Sequence, residues 1–158
     1  MGREIRRVPA GWSKENPHYD RSWREAVAEW KAGYAEWEAA PQTDCEWWDW
    51  AGPPPTGHED CYRPDWTDAE RTHYQLYETV SEGTPVTPAF ATEDELIDYL
   101  VAHGDYWDQR RRRAGHSSMP CDPWPRDQAE TFVRGGGWAP SMAIVDGQLV
   151  GGVEAVTK

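Results

Sequence analysis

Trp23, Val27, Trp30, Tyr34 and Trp37 recur at steps of four, three, four and three. At 3.6 residues per turn these positions form one stripe, which predicts a helix from Asp20 to Ala40. Asp20 or Ser22 can cap its start, and Pro41 stops it. Such a stripe packs on another element, serves as a docking strip, or pairs with its own copy in a dimer. Residues 3–8, REIRRV, read as a short strand before Pro9. Thr67 and Glu70 have capping-box spacing, which predicts a second helix from Asp68 to about Val80. Its inward stripe is Ala69, His73, Leu76 and Val80, flanked by Tyr74 and Tyr77.

A second capping box, Thr92 with Glu95, precedes Leu96, Ile97, Leu100 and Val101, and Gly104 is a natural stop. Residues 105–125 carry turn chemistry and read as a loop with one basic run, Arg110–Arg113. A short helix, Asp127 to Arg134, leads into GGGWAP, which reads as a flexible joint. Two Val/Ile-containing runs around Asp146-Gly147 then predict a hairpin with a type I′ turn. The whole reads as a small α+β single domain over 1–158: three or four helices, a C-terminal β-hairpin and long Pro/Gly/Trp-rich loops.

Composition sharpens this. Only 19 of 158 residues are Leu, Ile, Val or Phe, and the net charge is −12. By itself that pairing points to disorder. The 11 Trp and 7 Tyr oppose it, because each such ring can bury roughly 150–250 Å². The expectation is a folded chain with an aromatic core. Eight acids fall between residues 44 and 70 against Arg63 alone. That region repels phosphates, so direct nucleic-acid binding is not expected, and a basic protein surface suits it better. Acids also keep a Trp-rich segment dissolved. No run of ~18 apolar residues predicts a membrane span, and three cysteines do not make an even disulfide set. A cytoplasmic protein with reduced thiols is expected.

The acidic Trp/Pro-rich loop 41–66 contains DCEWWDW. There Trp47, Trp48 and Trp50 sit among Asp44, Glu46 and Asp49, the pattern of aromatic anchors in a charged rim. Cys45, His58, Cys61, His116 and Cys121 fit no zinc-finger spacing, so neither metal nor cofactor is expected. No P-loop, Gly-x-Ser-x-Gly or His-Glu-x-x-His motif occurs. His73 with Glu70 is a weak acid–base pair, more simply read as a core histidine. Arg71, His73, Tyr74, Tyr77, Arg134 and Trp138 combine rings with cations, the chemistry that stacks a base and holds its phosphates.

MGREIRRVPAGW, PDWTDAERTHYQLYETVSEGTPVTPAFATEDELIDYL and GGGWAPSMAIVDGQLVGGVEA together resemble a family of small tailed-bacteriophage and prophage proteins of uncharacterised activity. The resemblance covers the start, residues 64–100 and residues 134–155. The 41–62 segment and the Arg110–Arg113 loop look like inserts. It implies a phage protein acting in the bacterial host cytoplasm. By analogy with other small acidic phage proteins, the expectation is a non-enzymatic inhibitor of a host immune protein, anti-CRISPR-like or otherwise anti-defence. Its partner would have a basic surface, and homo-oligomers are compatible. The alternatives are a sponge for a cyclic nucleotide or ADP-ribose-type messenger, an enzyme acting on such a nucleotide, and a phage structural or assembly protein.

Overall fold

The structure, a computed structural model, describes residues 2–13, 19–40, 53–55, 61–79, 83–115 and 123–157. The chain divides into two compact units, one made of residues 1–15 and 66–158, the other of residues 16–65. Among the described residues no helix is long and apolar enough to cross a membrane.

In the larger unit, strand β1 (Arg3–Val8) lies in a four-stranded sheet. The strand order is β5 (Thr84–Pro85), β4 (His73–Glu78), β1, β6 (Trp138–Ala139). β1 pairs antiparallel with β4 along its whole length, from Arg3 opposite Glu78 to Val8 opposite His73. Helices α2 (Glu93–His103) and α4 (Arg126–Arg134) pack against each other, and with the sheet they enclose the core. That core joins Leu76, Val86, Leu96, Ile97, Leu100, Ala129, Phe132, Val133 and Ala139. A hairpin, β7 (Met142–Val145) and β8 (Gln148–Gly151), forms its own two-stranded sheet, followed by the short α5 (Gly152–Val156).

Local chemistry explains the helices that the sequence announces. Thr92 Oγ1 accepts from Glu95 N–H and Glu95 returns a carboxylate to the Thr92 amide, so α2 starts on a complete capping box. α4 begins one residue before its expected start. The hairpin turns through Asp146 at φ 51° and Gly147 at φ 78°, the two positive values a type I′ turn requires.

Residues 68–79, where a helix was expected to run on to about Val80, are not a helix. Glu70 Oε2 accepts from both the amide and the hydroxyl of Thr67, each at 2.7 Å, and Glu70 N–H donates to Thr67 O. The capping-box residues close a turn instead, and Ala69 is exposed. The chain then runs extended as β4, because β1 presents six register positions that a strand satisfies and a helix does not. The 105–125 loop is also corrected in its first part. Residues Tyr106–Ala114 form helix α3, capped by Asp105 and closed by Gly115 at φ 68°. Its signal was Asp105 with Asp108, an acidic variant of the capping spacing.

The expected aromatic core is corrected too. In this unit the main buried cluster is aliphatic apart from Phe132, and Tyr74, Phe90, Tyr106, Trp107 and Trp124 pack around it half-buried, while Tyr77 is fully buried outside that cluster. No described tryptophan is fully buried. An indole is large and needs its N–H paired, so it suits the rim, where Trp107 reaches Glu78 and Trp124 reaches Asp108. GGGWAP is not a loose joint. Gly137 is buried, its carbonyl accepts from Ile5 N–H at 2.6 Å, and a Cβ there would lie 2.7 Å from Ile5 Cβ.

The smaller unit contains β2 (Tyr19–Ser22), α1 (Trp23–Ala39) and β3 (Tyr62–Arg63). β2 and β3 pair in parallel. Ser22 is the N-cap of α1, in a full capping box with Glu25. Arg63, nearly buried, reaches Glu25 at 2.5 Å, and Trp23 meets Tyr62 edge-on at 5.0 Å.

Candidate functional site

On α1 the stripe positions Trp23, Val27, Trp30, Tyr34 and Trp37 are half-buried, and only Ala26 is fully buried. Trp30 lies 5.5 Å from Tyr34, and Tyr34 lies 5.6 Å from Trp37, centroid to centroid. Exposed Glu29, Glu36 and Glu38 border this row. The smaller unit therefore carries an aromatic cluster at its surface among carboxylates. A polar cleft of about 160 Å³ opens beside Trp30, lined also by Arg21, Glu29 and Tyr62.

The larger unit exposes apolar surface on its hairpin. Ile144 sits opposite Leu149, and Met142 opposite Gly151, so these side chains share one face. Their exposures are 74% for Ile144, 67% for Leu149 and 49% for Met142. Trp138, on β6, is 59% exposed. The outer face of a two-stranded hairpin is ordinarily polar, so this face is at odds with simple solvation. Exposed Asp146 and Glu154 lie on the turn and on α5.

A buried charged cluster sits at the head of α3. Asp105 Oδ2 meets Arg3 Nη2 at 2.5 Å and Nε at 2.7 Å. Asp105 Oδ1 accepts from the amides of Trp107 and Asp108. Asp108 Oδ1 takes Arg111, and its Oδ2 takes the Asp105 amide and Trp124 Nε1. Burial, then the neighbouring Asp105 carboxylate, raises the Asp108 carboxyl above its ordinary value against these donors. All four carboxylate oxygens accept hydrogen bonds within the protein, so the arrangement holds the fold together and offers no unused base.

The candidate ligand residues are placed apart. Arg71 reaches the carbonyl of Trp66, and His73 Nδ1 lies 2.9 Å from Thr72 Oγ1. Glu70 is held by Thr67. Tyr74 packs against the core beneath Arg7, while Tyr77 is fully buried beneath Arg6, its hydroxyl accepting from Trp12 Nε1. Strand alternation puts these two tyrosines on opposite faces of β4. Arg134 pairs with Asp94 of α2. Trp47, Trp48, Trp50, Asp44, Glu46 and Asp49 lie outside the described residues, as do Cys45, His58, His116 and Cys121. Among the described residues no three His, Cys, Asp or Glu side chains are grouped to hold a metal ion.

One cleft escaped the sequence reading. It occupies about 490 Å³ on the larger unit, between the turn after β1, the 85–89 segment and helices α2 and α3. Trp12, Tyr99, Tyr106, Gln109 and Arg113 line it. The basic run was visible, but Trp12 and Tyr99 are 87 residues apart and share no local pattern.

No protein-family model, curated protein or solved structure matches this chain.

Proposed function

We propose that this is a non-enzymatic binding protein that captures a protein partner whose apolar contact patch is bordered by basic residues. The observation that carries this reading is the outward apolar face of the hairpin, Met142, Ile144 and Leu149. Exposed apolar side chains that share a face mark interaction surfaces. The surrounding charge supplies the partner's chemistry: a net −12 chain with Asp146 and Glu154 near the hairpin attracts a basic rim and repels an acidic one. The sharper form of the reading is that the partner is a bacterial defence component, inhibited in the host cytoplasm. The resemblance to small phage proteins supports it. Trp47, Trp48 and Trp50 with their acids would then add a second contact region.

The test is affinity capture from phage-infected bacteria with three proteins: wild type, I144S/L149S, and W47A/W48A/W50A. Binding of the recovered partner is then measured with purified components. Both hairpin positions are exposed, so the first variant should keep the wild-type melting temperature and lose the partner by at least about tenfold. A partner held equally by wild type and I144S/L149S refutes the hairpin as the docking face.

A further inference from the structure

Three rings line the cleft on the larger unit, each fixed from behind. Trp12 donates to Tyr77 at 2.9 Å and stands edge-on to Trp66 at 4.6 Å. Tyr99 packs against Phe90 at 5.1 Å and accepts from Gln109 Nε2 at 3.0 Å. Tyr106 stands edge-on to Trp107 at 5.1 Å, and its amide donates to Val86 O. Rings held in this way lose little freedom when a flat ligand enters.

Beneath them lies Gln75, fully buried in the centre of the sheet. Its Nε2 ties Trp12 O at 3.1 Å to Thr87 O at 2.9 Å, two residues of the cleft wall. Among the described residues its Oε1 has no hydrogen-bond partner. An orphaned buried acceptor is costly and is kept where something else in the protein requires it.

The cation at this cleft is distinctive. The chain has 13 arginines. Arg3, Arg21, Arg24, Arg63, Arg126 and Arg134 pair with carboxylates of other elements or loops, and Arg6 and Arg111 pair with near neighbours. Arg7, Arg71 and Arg112 reach backbone carbonyls, and Arg110 lies over the Trp107 ring. Among the described residues only Arg113 is exposed and has no such arrangement, and it lines the cleft. In a chain with 28 acids, leaving one guanidinium uncommitted beside three rings costs an easily made ion pair.

We propose that this cleft binds a planar aromatic ligand bearing one anionic group, the ring among Trp12, Tyr99 and Tyr106 and the phosphate or carboxylate on Arg113. Its volume lies within the roughly 300–1,000 Å³ of small-molecule sites. The acidic field of the chain disfavours polyanions, so a long nucleic acid is excluded while a small monoanion or dianion can reach the guanidinium. The site is independent of the hairpin face.

The test uses the full chain and isothermal titration with 5′-AMP and indole-3-acetate. Each is set against its uncharged counterpart, adenosine or indole-3-acetamide, and inorganic phosphate alone is the third arm. At least one charged ring should bind one-to-one, about tenfold or more tighter than its uncharged partner. R113A should erase that difference while the melting temperature stays unchanged, because among the described residues Arg113 makes no hydrogen bond or ion pair that holds the fold. AMP alone binding identifies a phosphate ligand, and indole-3-acetate alone a carboxylate. Three results each overturn the proposal: neither ring saturating below about 1 mM, undiminished binding by R113A, or inorganic phosphate binding as tightly as AMP.

Discussion

Replacing Asp105 by Ala should be among the most destabilising single changes in the larger unit. Asp105 is 1% exposed and Arg3 is 7% exposed. The substitution takes the Asp105 carboxylate away from a buried guanidinium, and breaking a buried pair costs about 3–5 kcal/mol. It also unpairs the amides of Trp107 and Asp108 at the start of α3, a cap worth about 1 kcal/mol. Relief of the repulsion between Asp105 and Asp108 offsets part of this. A net loss of about 3–5 kcal/mol results, which for a chain of this length lowers the melting temperature by on the order of 10 °C. Urea titration followed by far-ultraviolet circular dichroism should show a lower midpoint with an unchanged slope. The double variant R3M/D105L should recover most of the loss, since no unpaired charge remains, and keep only the cap deficit. A loss under about 1 kcal/mol for Asp105→Ala, or a double variant as unstable as the sum of its singles, would refute the claim that this pair is buried and coupled.

Two carboxylates should tilt stability with pH in opposite senses. Asp108 is raised by burial and by Asp105. Its contribution is therefore full below the ordinary aspartate range and is lost as pH rises through its folded value. The slope of stability against pH just above that range should flatten in D108N. Burial pushes Glu25 up, but the Ser22 amide and the Arg63 guanidinium outweigh it and hold its carboxyl below the ordinary value. Its contribution is present above the ordinary glutamate range and lost as pH falls through the folded value, so E25Q should blunt acid unfolding of α1. Finally, Gly137→Ala should cost at least about 1 kcal/mol, because φ is 63° and the new methyl meets Ile5. A melting temperature equal to wild type would refute a close β1–Gly137 contact.

The range of each interaction decides whether it was readable in advance. The helix over Trp23–Ala39, the Thr92 box and the Asp146-Gly147 turn were legible because each depends on partners within four residues. There, cap, periodicity and turn chemistry agree. The Thr67–Glu70 pair misled because its bonds are equally well made in a turn, so its spacing leaves the conformation of residues 71–80 open. The candidate surface was partly legible. Aromatic residues among acids were expected at the surface at Trp47, Trp48 and Trp50, which lie outside the described residues. For the α1 stripe a docking strip was one of three readings, and the hairpin was read only as a strand pair. A hairpin's turn is local, whereas which face meets the core depends on what packs beneath it.

Strand β4 exists because β1, some 70 residues earlier in the chain, offers it a ladder. Arg3 and Asp105 are 102 residues apart, and neither reads as buried until the sheet and α3 exclude water around both. The cleft gathers Trp12, Tyr99, Tyr106 and Arg113 from the N-terminal turn and two helices. Periodicity and capping act over one or two turns of chain, so they settled only the elements whose stabilising partners are local. Burial, charge pairing and cavities are properties of surfaces brought together from distant segments, and only the folded arrangement could settle those.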